Sequence, residues 1–151
     1  MPCTPTTPVI PLPAEGRGLL DTNVIILRRR LDGTELPAEV AISAVTLAEL
    51  SAGVHLVRGD GAAAERARRM AVLQRVEHEF EPLPFDADAA RAFGQINAAV
   101  VAVGRTPRRR VADLMIASVA AAHRLPLYTT NPDDFAGLEE IVDVVAVTRP
   151  K

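Results

Sequence analysis

The sequence predicts an α/β fold, a three-layer α/β/α sandwich around a parallel sheet of four to five strands. Short apolar runs alternate with longer helical stretches, the pattern of a parallel sheet covered on both faces. Apolar residues make up 48% of the 151 but aromatics only 3%, so the core must be built from Ala, Val, Leu and Ile, which suits helices packed closely on a sheet. No fixed-period repeat and no dividing linker is visible, so residues 18–151 read as one domain.

The opening "MPCTPTTPVIPLPAEGRG" holds five prolines and reads as a flexible, extended segment over residues 1–17. "GLLDTNVII" then gives a strand ending near Leu20 and a helix start at Asp21-Thr22-Asn23, because Asp, Thr and Asn all cap orphan N–H groups. A short helix over 24–30 follows. "VAISAVTLAELSAGVHLV" reads as a strand through Ile42, a cap at Ser43 and a helix to about Val57. "RGDG" breaks the chain, and "AAAERARRMAVLQRVEHEF" is helical by composition. "EPLPF" is expected to be a short strand fenced by prolines; Asp86 caps a second long helix, and "RTPRRR" is a basic loop. A helix over 111–124 carries the apolar stripe Val111, Leu114, Met115, Ser118 and Ala122, with Asp113 roughly opposite its centre. "PLYTT" is a strand, "NPDDFAGL" a loop with one helical turn, and "IVDVVAV" the last strand.

Charge and composition exclude several classes of function. Seventeen basic against nineteen acidic residues give a net charge of −2, so any attraction to a polyanion must come from local patches. Cys3 has no partner for an internal disulfide, and no apolar run reaches the roughly 18 residues of a membrane span, so a reducing, cytoplasmic setting is expected. There is no G-x-G-x-x-G or P-loop pattern. His55, His78 and His123 are scattered, which disfavours a histidine-pair nuclease.

The acids are more informative. In an open parallel sheet the functional crevice lies beyond the carboxyl ends of the strands. Asp21 follows the first strand; Asn131, Asp133 and Asp134 follow "PLYTT"; Glu49 lies two turns into the helix after "VAIS"; Asp113 opens the helix before "PLYTT". Taken singly, each fits a structural role as cap, first-turn acid or turn residue. Together they arrive at one edge of the sheet, which independent caps need not do.

"LLDTNVII", "ISAVTLAELSAG" and "ADLMIASVAAAHRLPLYTTNPDDF" resemble, in order and spacing, the PIN-domain ribonucleases, and most closely the VapC toxins of toxin–antitoxin pairs, over about residues 19–147. The resemblance implies Mg²⁺- or Mn²⁺-dependent cleavage of RNA, inhibition by a cognate VapB antitoxin, and a homodimer. It implies that Asp21 and Asp113 are the core metal ligands and that Glu49 is a further catalytic acid, holding a second ion or orienting water. Asn131 stands where many PIN domains carry aspartate, with Asp134 just before the Phe. The fourth position is therefore filled by Asn131 through its carbonyl, by Asp134 through water, or by neither. Thr22, Asn23 and Thr129 match small polar positions lining the pocket.

Oxygen-only ligands with no Cys or His cluster select a hard octahedral cation. Such an ion lowers the pKa of a bound water and neutralises charge on a phosphodiester, with one or two ions equally consistent with the residues. Arg108, Arg109 and Arg110, just before Asp113, are placed to grip RNA phosphates. Arg28–Arg30 reads more simply as cations at a helix C-terminus. Few aromatics means little base stacking, so RNA shape is the expected determinant of specificity. Two alternatives remain. A receiver or haloacid-dehalogenase-like phosphotransfer domain would want an acidic pair at the first strand, where this chain has "DTN". A catalytically inactive PIN-like interaction module would have no need of Asp21, Glu49 and Asp113 together.

Overall fold

The computed structural model of the chain describes residues 16–151. Most of the Pro-rich lead lies outside the described residues, and Arg17, assigned to that lead, already opens the first strand. The elements are β1 (Arg17–Leu20), α1 (Thr22–Leu27), β2 (Glu39–Ala41), α2 (Ala44–His55), α3 (Ala62–Glu79), α4 (Ala87–Ala102), α5 (Val111–Ala122), β3 (Leu127–Thr129) and β4 (Val144–Ala146). Short 3₁₀ turns occupy Arg28–Arg30, Gly33–Glu35, Pro107–Arg110 and Pro132–Phe135.

All four strands are parallel, in the order β2-β1-β3-β4. From β1 the chain first builds to one side with β2, then crosses to build β3 and β4 on the other. The strand order therefore reverses between β1 and β3, and the crevice of such a sheet opens there, beyond the strand ends.

Adjacent residues of β1 send their side chains to opposite faces. Leu19 joins a core with Ile96, Leu114, Ile116, Leu127 and Phe135, which belongs to the α4–α5 layer. Leu20 joins Val24, Ile42, Leu50, Val54, Leu73 and Val76, the layer of α1, α2 and α3. Both leucines are fully buried, and each contributes about 1.5–3 kcal/mol of apolar burial. The sheet is thus the middle of the three expected layers.

Local signals set most boundaries. Ser43 Oγ accepts from Val45 N at 3.0 Å and caps α2; Asp86 accepts from Ala89 N at 3.0 Å and caps α4. Gly59 and Gly61 in "RGDG" both adopt positive φ, at 87° and 75°, where a side chain would be strained.

Two expectations are corrected. "EPLPF" is not a strand: it makes a single parallel bridge, Leu83 with Ser43. Leu83 N donates to Ile42 O and Ala44 N to Leu83 O, but Pro82 and Pro84 have no N–H to extend the ladder. The single apolar stripe on α5 is also wrong. Leu114 and every residue from Ile116 to Ala120 are buried, whereas Val111 is 44% exposed. The helix packs against both α4 and α2, so it is covered on more than one side. No helix among the described residues is long and apolar enough to cross a membrane.

Candidate active site

β1 and β3 deliver the first two groups. Their register pairs Leu20 with Tyr128, and Asp21 N donates to Tyr128 O at 2.9 Å, so Asp21 and Thr129 emerge side by side. Asp21 is the N-cap of α1: Thr22 N donates to its Oδ1 at 2.8 Å. Its Oδ2 accepts from Thr129 Oγ1 at 3.0 Å, in a buried hydrogen bond between residues 108 apart in sequence. Cap and crevice acid are therefore the same group. Burial pushes the Asp21 carboxyl above its ordinary value, against the hydrogen bonds of Thr129 and Thr22 and with the charges of Glu49 and Asp134.

α2 brings the third group. Thr22 Oγ1 donates to Glu49 Oε1 at 2.6 Å and lies 3.1 Å from Thr46 Oγ1. A threonine has one hydroxyl hydrogen, and Thr22 has given its own to Glu49, so Thr46 is the donor to Thr22. The relay Thr46 to Thr22 to Glu49 fixes the glutamate against the start of α1. Thr46 was not singled out from the sequence, although its place three residues before Glu49 puts it on the same helix face. It is fully buried.

Asp113, in the first turn of α5, is half-buried and has its carboxyl pushed up to about 6. Burial is the main cause; next come the negative charges of Asp21, Glu49 and Asp134, while Arg110 pulls the other way. Four acids from distant parts of the chain thus act on one another, and their repulsion is what a divalent cation would relieve. Among the described residues no three of them, with or without His or Cys, form a ready-made metal cage.

At the fourth position the two candidates have different surroundings. Asn131 N donates to Thr129 Oγ1 at 3.0 Å, and its side-chain amide reaches Thr130 Oγ1 at 3.4 Å, so it organises the turn after β3. Asp134 is the group whose charge is felt at both Asp21 and Asp113, and it pairs with Arg110.

The basic triplet divides. Arg110 meets the acids through Asp134; Arg109 lines a cavity of about 370 Å³ with Arg105, Thr106, Arg110 and Asp134; Arg108 is exposed. Arg105 was not singled out, yet its Nη1 donates to the carbonyl of Asp133. Asn23 is exposed and lines a second cavity, of about 540 Å³, with Thr22, Ile26, Glu49, Leu50 and Val72 between α1, α2 and α3.

Known proteins share this arrangement of elements. The PIN domain family model matches residues 18–141. The chain is 43% identical over 130 residues to ribonuclease VapC5 of Mycobacterium tuberculosis, covering 84% of this chain and 91% of that protein. It is 34% identical over 136 residues to ribonuclease VapC4 of the same organism, covering 87% and 97% respectively. A crystal structure of VapBC-5, a member of the VapBC family of toxin–antitoxin systems from M. tuberculosis, superposes with a TM-score of 0.74 at 39% identity, over 89% of this chain and 99% of that one. On the family match over residues 18–141 and the 43% identity over most of both chains, this chain belongs to the PIN-domain family and, within it, to the VapC group.

Proposed function

We propose that the chain is a divalent-metal-dependent endoribonuclease and the toxin of a VapBC-type pair. The observation that carries this reading is the buried Asp21 carboxylate at a strand end, held by Thr129 and Thr22, with Thr22 also gripping Glu49 and with the half-buried Asp113 carboxyl pushed up to about 6 by burial and by the charges of Asp21, Glu49 and Asp134. A fold gathers such repelling charges at a cost, and a bound cation offsets it. The naming of two relatives as ribonucleases supports RNA as the substrate.

The donors fit Mg²⁺, with Mn²⁺ able to substitute: they are oxygen only, and Mg²⁺ is commonly held by one or two carboxylates while keeping several waters. Asp21 and Asp113 would hold it. When bound, the ion supplies Lewis-acid stabilisation of the phosphate charge and a more acidic water. The chain's own residues do the rest. Thr129 and the Thr22 N–H fix the Asp21 carboxylate, one on each oxygen. Thr46 and Thr22 fix Glu49, which orients a water or holds a second ion. Asp134 adds negative charge at the fourth position. Arg108, Arg109 and Arg110 receive RNA phosphates beside Asp113.

Incubation of the purified chain with several RNAs and Mn²⁺ tests the reading. Cleavage is expected with the parent chain and is lost in Asp21→Asn and in Asp113→Asn. Undiminished cleavage in both variants discards the site; no cleavage by any preparation favours an inactive PIN-like module.

The partner is a VapB-type antitoxin. The cavity between α1, α2 and α3 has apolar walls at Ile26, Leu50 and Val72 and runs up to Thr22 and Glu49, so a peptide seated in it reaches the acids. Co-expression with the adjacent small reading frame should relieve growth arrest; arrest that persists despite a stable complex contradicts the pairing.

A further inference from the structure

The acidic edge has a counter-charge of its own. Arg110, at the end of the Pro107–Arg110 turn and three residues before Asp113, pairs its guanidinium with Asp134. Its charge is the one that lowers Asp113 against the three acids that raise it. The pair is partly open, with side-chain exposures of 39% and 29%. An ion pair this accessible to water is weak and readily exchanged. A second link ties the same loop to the same turn: Arg105 donates to the carbonyl of Asp133. The loop between α4 and α5 therefore stays attached through the Arg105 side chain even if Arg110 lets go. Beside the pair lies the cavity lined by Arg105, Thr106 and Arg109, large enough at about 370 Å³ for a phosphate group to reach the guanidinium.

The geometry points to Arg110 as an exchangeable guard on Asp134. In the chain without RNA the guanidinium neutralises the Asp134 carboxylate; an RNA phosphate entering beside Asp113 takes the guanidinium over and frees Asp134 for the acidic edge. A guanidinium is always charged and matches phosphate oxygens with two parallel N–H donors, so the trade replaces one anionic partner by another of better fit. The freed carboxylate strengthens the hold on a divalent ion. RNA and metal thereby promote each other's binding, and the coupling must be reciprocal. Arg110 is then both a phosphate contact and the positioning residue of Asp134.

This inference rests on the metal-dependent ribonuclease reading, and a double-substitution cycle separates the two. The full-length chain, Arg110→Gln, Asp134→Asn and the double variant are compared, with folding checked by circular dichroism. In EDTA, where no metal-dependent cleavage occurs, a mixed-sequence 12-nucleotide RNA is titrated by fluorescence anisotropy. Asp134→Asn is expected to tighten RNA binding about twofold to fivefold, the range a partly exposed pair allows. In the Arg110→Gln background that gain disappears. Without RNA, calorimetry should show Arg110→Gln binding Mn²⁺ more tightly by a similar factor, again only while Asp134 is present. Arg110→Lys, which keeps the charge, should retain both couplings in reduced size. Equal effects in both backgrounds, or none, overturn the exchange. If the parent chain and every variant fail to bind Mn²⁺ and to cut RNA, the ribonuclease reading falls with it; Mn²⁺ binding and cleavage with an additive cycle removes the exchange alone.

Discussion

Two stretches of this chain read "RRR", and the molecule uses them differently. Both form short 3₁₀ turns, Arg28–Arg30 after α1 and Pro107–Arg110 before α5. In the first, Arg28 Nη1 donates to Glu79 Oε1 at 2.6 Å and its guanidinium carbon lies 5.3 Å from the centroid of the Phe80 ring, clasping α1 to the end of α3. In the second, Arg110 faces Asp134 and the acids. The residues are identical; the distance to an acid of the candidate site differs. Six helical residues of α1, about 9 Å, separate the first triplet from Asp21, whereas Asp113 follows the second within one turn. A basic cluster takes its role from the edge to which the sheet delivers it.

The largest expected effect lies outside both triplets and tests why the second one matters. Asp21→Asn or Asp113→Asn should reduce RNA cleavage in Mn²⁺ on the order of 10³-fold, several kcal/mol of lost charge stabilisation. Arg110→Gln should then cost about tenfold to a hundredfold in kcat/KM, the worth of a charge-assisted hydrogen bond to phosphate, while Arg28→Gln stays within about twofold. Equal losses in the two arginine variants would erase the distinction between the triplets.

Acidity sharpens it further. With the Asp113 carboxyl near 6, Mn²⁺ affinity should fall about tenfold for each pH unit below that value, because the proton and the ion compete for one group. A flat Mn²⁺ affinity between about pH 5 and pH 7 contradicts the crowding of the acids.

The smallest effects are thermal. A carboxyl raised above its ordinary 3.8 contributes stability at low pH that is lost as pH rises through about 6. Metal-free protein should therefore be more stable near pH 5 than near pH 7 on this account. At pH 7 in EDTA, Asp113→Asn should melt higher by about 2–4 °C, the shift from about 1 kcal/mol once the partial exposure of the site is allowed for. Arg28→Gln should melt lower by a similar amount, having lost an ion pair and a cation–π contact. Opposite signs for these two substitutions would show that the first triplet serves the fold and that the acidic edge strains it.

Much of the frame was legible in the sequence because its signals are local. Asp21, Ser43 and Asp86 cap helices from their own side chains, and a cap needs only its neighbours in the chain. A rule about strand ends in a parallel sheet brought Asp21 and the Asn131–Asp134 turn to one edge, and the family resemblance joined Glu49 and Asp113 to them. Three features escaped, the last two because they depend on packing partners far away. "EPLPF" has strand composition, but its two prolines leave Leu83 as the only donor between them. A stripe on α5 presumes one buried face, and a helix wedged against α4 and α2 has more. Arg105 and Arg110 meet the turn after β3 across an entire helix and strand, which no spacing rule reports. The surroundings of Asn131 and Asp134 were likewise out of reach: the hydroxyls of Thr129 and Thr130 engage the Asn, and Arg110 pairs with the Asp.

Anomalous diffraction from a crystal soaked in Mn²⁺ addresses the central claim most directly. A peak is expected about 2.0–2.3 Å from carboxylate oxygens of both Asp21 and Asp113, beyond the carboxyl ends of β1 and β3. A peak bound elsewhere, or none at this edge at saturating Mn²⁺, would contradict it.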